Sequence, residues 1–265
     1  MTEDLRRVVV CTPIAPLHAE PRVASGQISQ LMAGRVADVL EMEDDWLRVR
    51  GPDEYVGWTH RGYFAQVPND DGTRRSLEIE RISLGCITTN PSGARRAMPL
   101  GALLSAEERV KSGDVILPSQ RQELFPAEAG AITRSAQQYF EGASYVWGGV
   151  TPWGADCSGL VQSVYWLHGI QLRRDAHQQA EQGAPGEAEP LASRAGDLLF
   201  FSDRPDRFIT HVGIALGMRA MVHLALGRGG YAVDKLDDDR DPYIRKLIAR
   251  FVTARRILGP SRVTD

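Results

Sequence analysis

Residues 155–168 read Ala-Asp-Cys-Ser-Gly-Leu-Val-Gln-Ser-Val-Tyr-Trp-Leu-His, and the fold of the second half of the chain is read outward from them. Leu160, Val161, Val164, Tyr165 and Leu167 form a broad apolar face at helical spacing. Gly169 is placed to end that helix. At its start stands Cys157, after Asp156 and a loop containing Gly148-Gly149 and Gly154. A cysteine at a helix start meets unpaired backbone N–H groups and the positive end of the helix dipole. Both favour the thiolate, the attacking species. Ser158 and Gly159 are small and keep the backbone near the sulfur accessible, so the N–H of Cys157 is placed to hold a carbonyl oxygen, an oxyanion-hole role. Cys157 is therefore a candidate nucleophile. Taken alone, it also reads as a buried structural cysteine.

A thiol nucleophile needs a base within hydrogen-bond reach. His211 opens His-Val-Gly-Ile-Ala-Leu-Gly, an alternating run. His211, Gly213 and Ala215 share one face, and Val212, Ile214 and Leu216 share the other, which turns into a core. The small residues beside His211 leave room for a helix or a ligand. His223 lies in the next apolar run, Met-Val-His-Leu-Ala-Leu (221–226). A hairpin between the runs sets it beside His211, where a third triad member orients the imidazole. Either histidine alone also reads as a satisfied core residue. The three together point to a cysteine hydrolase.

The surroundings set the fold class. Residues 130–141 place Ile132, Ala136, Tyr139 and Phe140 at helical spacing. Strands are expected at 197–201, 210–216, 221–226 and near 250–257. Helices followed by a run of strands imply α+β, with an antiparallel sheet. Residues 6–68 hold many brief β-rich segments separated by Gly, Asp and Pro, and 44–49 alternate apolar with polar, which suggests a small barrel. Residues 69–74, Asn-Asp-Asp-Gly-Thr-Arg, read as a linker. Residues 75–126 suggest a second small β unit. The expected domains are 1–70, 71–126 and 127–265.

Composition narrows the class. Hydrophobic residues at 43% and charged residues at 25% suit a globular protein with a core. A net charge of −3, with Arg74-Arg75, Arg173-Arg174 and Arg255-Arg256 read as scattered surface doublets, gives no basic stripe for nucleic acid. Three cysteines without close spacing argue against a disulfide framework, and Cys11 and Cys86 read as core. The six histidines include no His-x-x-x-His pair, so no metal and no cofactor is expected. The first ten residues do not resemble an export leader, and no apolar stretch approaches the roughly 20 residues that span a bilayer. The expectation is a cytoplasmic monomer with no membrane partner.

Tyr145-Val-Trp-Gly-Gly, Asp156-Cys-Ser-Gly-Leu-Val, Ala195-Gly-Asp-Leu-Leu-Phe-Phe, His211-Val-Gly-Ile-Ala-Leu and Val222-His223, in this order, resemble the NlpC/P60 cysteine peptidases over about 127–258. Residues 8–68 resemble a bacterial SH3 (SH3b) domain, with Gly57-Trp58 and Gly62-Tyr63 like its closing strand. Residues 75–126 sit where a second, divergent SH3b domain occurs in similar proteins. The resemblance implies a papain-like catalytic domain preceded by two small SH3-like barrels, with a Cys157–His211–His223 triad and Tyr145 helping the oxyanion site.

The layout is most similar to γ-D-glutamyl-L-diamino acid endopeptidases. That likeness implies hydrolysis of the γ-D-glutamyl–diamino acid bond in murein peptides with a free N-terminal L-Ala, as in wall-peptide recycling. It further implies that Asp156 binds the ammonium, that Tyr63 closes the pocket, and that Ser158, Trp147 and Asp175 line it. Asp156 also reads as a helix cap, Tyr63 as barrel core and Trp147 as a packing residue. Two positions depart from the pattern. No acidic residue stands near residues 25–30, and Ala176 stands where a hydroxyl residue is usual. The rival readings are a wall-remodelling D,L-endopeptidase or amidase, and a catalytically silent wall-binding module.

Overall fold

The computed structural model describes residues 7–67 and 78–259. The expected linker at 69–74 and the Arg74-Arg75 doublet lie outside them. Two compact units divide between Arg121 and Gln122.

In the first unit, among the described residues, seven short strands form one antiparallel sheet in the order β3-β2-β6-β5-β4-β1-β7. They are β1 (Arg7–Val10), β2 (Ile14–His18), β3 (Gln27–Met32), β4 (Val36–Glu43), β5 (Trp46–Arg50), β6 (Val56–His60) and β7 (Phe64–Gln66). The alternation of 44–49 is realised in β5, where Leu47 and Val49 are buried and Arg48 and Arg50 exposed. Leu47 and Val49 join Val8, Val10, Ala15, Leu17 and Leu31 in one core, and burying each such side chain contributes about 1.5–3 kcal/mol. Asp44 turns the β4–β5 hairpin at φ 50°, a left-handed position that Asp tolerates better than most residues.

Three longer strands follow in the same unit. They are β8 (Ile79–Thr89), β9 (Arg95–Ser105) and β10 (Arg109–Ile116), paired antiparallel in the order β10-β8-β9. Their core of Cys86, Met98, Ala102 and Leu104 also takes in Ala33, and Leu103 N–H donates to Ala33 O at 2.9 Å. Gly34 makes this approach possible. A Cβ there would lie 2.4 Å from Leu103 O, and its φ is +75°. Cys86 is buried as expected, whereas Cys11 is exposed. It stands just past the end of β1, outside the sheet's alternation.

In the second unit, the strands are β11 (Val150–Thr151), β12 (Gly154–Ala155), β13 (Ala184–Pro185), β14 (Asp197–Phe201), β15 (His211–Gly217), β16 (Ala220–Ala225), β17 (Gly230–Lys235) and β18 (Phe251–Arg256). Among the described residues, six of them form an antiparallel sheet ordered β13-β18-β14-β15-β16-β17. Helix Cys157–Leu167 packs on β15, β16 and helix Ala129–Phe140. Its residues Leu160, Val161, Val164, Tyr165 and Leu167 are inaccessible to solvent, as suits a helix that is apolar nearly all round. Gly169 ends it at φ +83°, with Ile170 N–H on Tyr165 O and Gly169 N–H on Trp166 O, the Schellman pattern.

The elements not read from the sequence include β17 and helix Pro242–Ala249. The helix has a legible start in Asp241 as cap and Pro242 in its first turn. Leu247 of this helix packs with Leu199, Phe201, Ala215 and Met221. That covers the sheet face bearing His211, where room for a helix or a ligand was expected. Two arginines read as surface are tied down instead. Arg174 is buried, and Arg256 grips buried Asp197 through Nε and Nη2, each at 2.9 Å.

Candidate active site

The start of helix Cys157–Leu167 is built by its cap. Asp156 has extended backbone, and its Oδ1 accepts from Gly159 N–H at 2.8 Å, which satisfies a donor the helix leaves unpaired. Oδ2 accepts from Gly148 N–H at 2.9 Å, and Ser158 Oγ donates to Oδ1 at 3.2 Å. Arg174 adds Nη1 to Oδ1 at 3.0 Å and Nη2 to Oδ2 at 2.7 Å. It also donates to Ser158 Oγ at 2.9 Å. Glycines let the preceding loop close on this turn. A Cβ on Gly159 would fall 2.1 Å from Gly149 O, and one on Gly149 would fall 2.3 Å from Gly154 O.

Cys157 is buried at this helix start, and its sulfur hydrogen-bonds with the backbone of Val212 and of Ser158. Those bonds and the Arg174 charge favour the thiolate, the direction expected of a helix start. Burial and the Asp156 charge oppose them more strongly and push the thiol up to about 12. The sequence expectation of a lowered pKa is therefore reversed, because desolvation of the sulfur outweighs the helix terminus. The resting group is a thiol that needs a base to take its proton.

Val212, which holds the sulfur, follows His211. Burial, then the neighbouring His223, holds the His211 pKa well below its ordinary value of 6.5. His211 is thus a neutral imidazole at pH 7, able to accept a proton. His211 Nε2 and His223 Nδ1 are 2.8 Å apart. The β15–β16 register pairs Ile214 with Val222 and so sets Gly213 opposite His223. The two histidines are therefore diagonal neighbours on one face, across a glycine. A Cβ on Gly213 would meet Met221 Sδ at 2.4 Å and His223 Cβ at 3.1 Å.

The remaining expected residues fall in different places. Tyr145 is half-buried, and its hydroxyl is raised above the ordinary range by burial, then by nearby Cys157 and Asp156, so it stays protonated beside the thiol. Ser158 is buried in the Asp156–Arg174 network. Trp147 is 68% exposed. Asp175 caps the short helix Ala176–Gln179, and its N–H donates to Gln178 Oε1 at 3.2 Å. Tyr63 belongs to the first unit, where it packs against the sheet core and its carbonyl accepts from Cys11 N–H at 2.9 Å.

Two neighbours of the candidate site escaped the sequence reading. Arg174 had no signal, since nothing local separates a buried arginine from its exposed neighbour Arg173. Asp234 lies behind His223, with Oδ2 2.9 Å from His223 Nε2. Its strand inverts the usual alternation, because Asp234 is buried while Val233 is 45% exposed. That inversion follows from what the strand faces and is invisible in the letters.

A helix that opens on a buried thiol, laid on an antiparallel sheet that supplies a neutral imidazole, defines a papain-like cysteine peptidase. Residues 142–248 match the NlpC/P60 family, and residues 17–61 match the bacterial dipeptidyl-peptidase SH3 domain. The gamma-D-glutamyl-L-lysine dipeptidyl-peptidase of Bacillus subtilis (strain 168) is 38% identical, over 74% of this chain and 71% of its own length. The dipeptidyl-peptidase 6 of Lysinibacillus sphaericus is 27% identical, over 93% of this chain and 97% of its own. The crystal structure of an NlpC/P60 family protein from Bacillus cereus ATCC 10987 shares the fold, with a TM-score of 0.77 at 17% identity, over 96% of this chain and 100% of that one. The chain belongs to the NlpC/P60 family of cysteine peptidases, with a bacterial SH3 domain preceding the catalytic domain. No helix among the described residues is long and apolar enough to cross a membrane.

Proposed function

We propose that this peptidase hydrolyses the γ-D-glutamyl–diamino acid bond of murein peptides that carry a free N-terminal L-Ala, releasing L-Ala-γ-D-Glu in the recycling of wall peptides. The chemistry is carried by one observation. The Cys157 sulfur is held by the backbone of Val212, next to a neutral His211 whose Nε2 is already engaged by His223. The substrate class is supported by the names of the relatives above, two dipeptidyl-peptidases.

In the proposed reaction His211 takes the Cys157 proton as the sulfur attacks the γ-carbonyl carbon of D-Glu. The N–H of Cys157 and the hydroxyl of Tyr145 donate to the resulting oxyanion. The C–N bond breaks as the imidazolium returns its proton to the leaving amine. Water, deprotonated by His211, then hydrolyses the thioester and restores the thiol. L-Ala in intact wall is acylated by the sugar's lactyl group, so a free-amine requirement places the enzyme after the step that removes the sugar. Within this proposal, recycling is therefore favoured over wall cutting.

Asp156 enters this proposal chiefly as the anchor of the helix start. A substrate ammonium reaching its carboxylate would have to share it with Arg174. The test compares L-Ala-γ-D-Glu-diaminopimelate with its N-acetylated form and with intact sacculi. Cleavage of the free peptide alone, abolished by Cys157→Ala, is expected. Equal cleavage of the blocked peptide, or release of peptides from sacculi, would overturn the substrate assignment.

A further inference from the structure

His223 is inaccessible to solvent, and both its ring nitrogens are engaged. The group beyond it is unusual for a sheet interior. Asp234 on β17 sits two residues beyond Ala232, the direct partner of His223. His211, His223 and Asp234 therefore run diagonally across three adjacent strands on one face. Asp234 is gripped in turn. Arg228 Nε lies 3.2 Å from Oδ2 and Nη2 lies 2.9 Å from Oδ1. Arg228 Nη2 also binds Asp241 Oδ2 at 2.5 Å, and its guanidinium lies 4.2 Å from the centre of the Tyr243 ring. Asp241 caps helix Pro242–Ala249 by accepting from Tyr243 N–H at 2.8 Å. The outer shell is thus locked to a helix.

We propose that Asp234 is a positioning residue that sets the proton arrangement of both histidines, leaving Nδ1 of His211 bare to accept the Cys157 proton. An ionised carboxylate only accepts, so His223 Nε2 must carry hydrogen. In the proposed arrangement that is the only ring hydrogen of His223, so its bare Nδ1 accepts from His211 Nε2–H across the observed 2.8 Å. With its single proton on Nε2, His211 has its lone pair on Nδ1. Each step follows from the one before, starting at Asp234. Burial alone would favour a protonated Asp234. The hydrogen bonds of His223 and Arg228, with the Arg228 charge, outweigh it and hold the carboxyl below the ordinary range. The opposite order, with His223 Nδ1–H aimed at His211 Nε2, would leave Asp234 facing a bare nitrogen and put the His211 proton where the thiol needs an acceptor. The same carboxylate steadies the imidazolium that forms during attack, since its charge raises the His211 pKa.

This inference rests on His211 as the base, and its test separates the two. Histidine 15N–1H correlation spectra of the wild-type protein at pH 7.5 report the tautomers directly, without activity. Nε2–H signals for both His211 and His223 are expected. A Nδ1–H His211, or a doubly protonated His223, would overturn the proposal even with full activity. In Asp234→Asn, kcat is expected to fall about 10–100-fold, by analogy with partners that orient metal-bound histidines, with KM within about twofold. The acid limb of kcat/KM should move to lower pH, because a negative charge near His211 is gone while His223, Arg228, Asp241, Tyr243 and Cys157 remain. An unmoved limb with wild-type spectra in Asp234→Asn would reduce Asp234 to a structural role. If His211→Ala retained activity, the reaction scheme itself would fall, whatever the spectra showed.

Discussion

Arg174 meets Asp156 with both terminal nitrogens, Nη2 to Oδ2 at 2.7 Å and Nη1 to Oδ1 at 3.0 Å, one residue before Cys157. Both side chains are buried, at 1% and 7% exposure. The pair fastens the segment around Arg174 to the helix start and to the glycine loop behind it. A buried pair matters most when half of it is removed, because the other charge is stranded in a medium that solvates it poorly.

Arg174→Met is therefore expected to cost about 3–5 kcal/mol. Asp156→Asn with Arg174→Met should cost less than Arg174→Met alone, since no charge is then left unpaired. Denaturant unfolding of the two variants measures the difference. Additive losses would mean that the pair is not the coupled unit described.

The pH dependence follows from two opposed shifts. The folded pKa of His211 lies below 6.5, so under acid conditions the unfolded chain binds the extra proton. Stability should fall as pH drops below about 6.5, and activity at lower pH, where His211 of the folded chain takes up its proton. The Cys157 thiol is raised from 9.0 to about 12, so the unfolded chain loses that proton first, and stability should fall as pH rises from 9 towards 12. Thermal melts from about pH 4 to about pH 11, a span that includes the ordinary values of both groups, compared with Cys157→Ala and His211→Ala, test each arm. A wild-type profile that neither variant flattens would reject the assignment.

Alkylation reads the same pair directly. Cys11 is exposed, so the experiment needs a Cys11→Ser background. There, iodoacetamide labelling of Cys157 at pH 7 should slow at least about 10-fold on His211→Ala, because a raised thiol depends on its base for thiolate character. An unchanged rate would show that the sulfur ionises without His211.

Tyr145→Phe removes a neutral donor held beside the sulfur. A drop in kcat of about 10²-fold with little change in KM is expected of a donor that acts on the oxyanion. A rise in KM alone would instead make Tyr145 a binding residue.

Gly159→Ala probes the approach of the loop to the helix. Its Cβ would lie 2.1 Å from a backbone oxygen, Gly149 O, which has no free rotor to move aside. A loss of about 1–3 kcal/mol or more is expected, together with lower activity, because the displaced turn carries Asp156 and Cys157. A wild-type melting temperature would show that the loop yields.

The sequence by itself determined many of the local elements of this protein and its candidate reacting groups. Asp156 as cap, the apolar face of 160–167 and Gly169 as stop specify a helix through contacts within a few residues. The strand at 197–201 was likewise readable, as were those beginning near 210 and 221, and the order of Cys157, His211 and His223 pointed to the chemistry. Only the tertiary structure decided what surrounds those groups. Arg174 and Asp156 are eighteen residues apart, Arg256 and Asp197 fifty-nine, and Asp234 is enclosed by His223 from the neighbouring strand and by Arg228. A local pattern is set by backbone geometry that repeats every two or 3.6 residues. Burial and charge pairing depend on what packs from elsewhere in the chain. The same distinction explains Cys157, whose helix start was legible in the sequence while the burial that reverses its pKa was not.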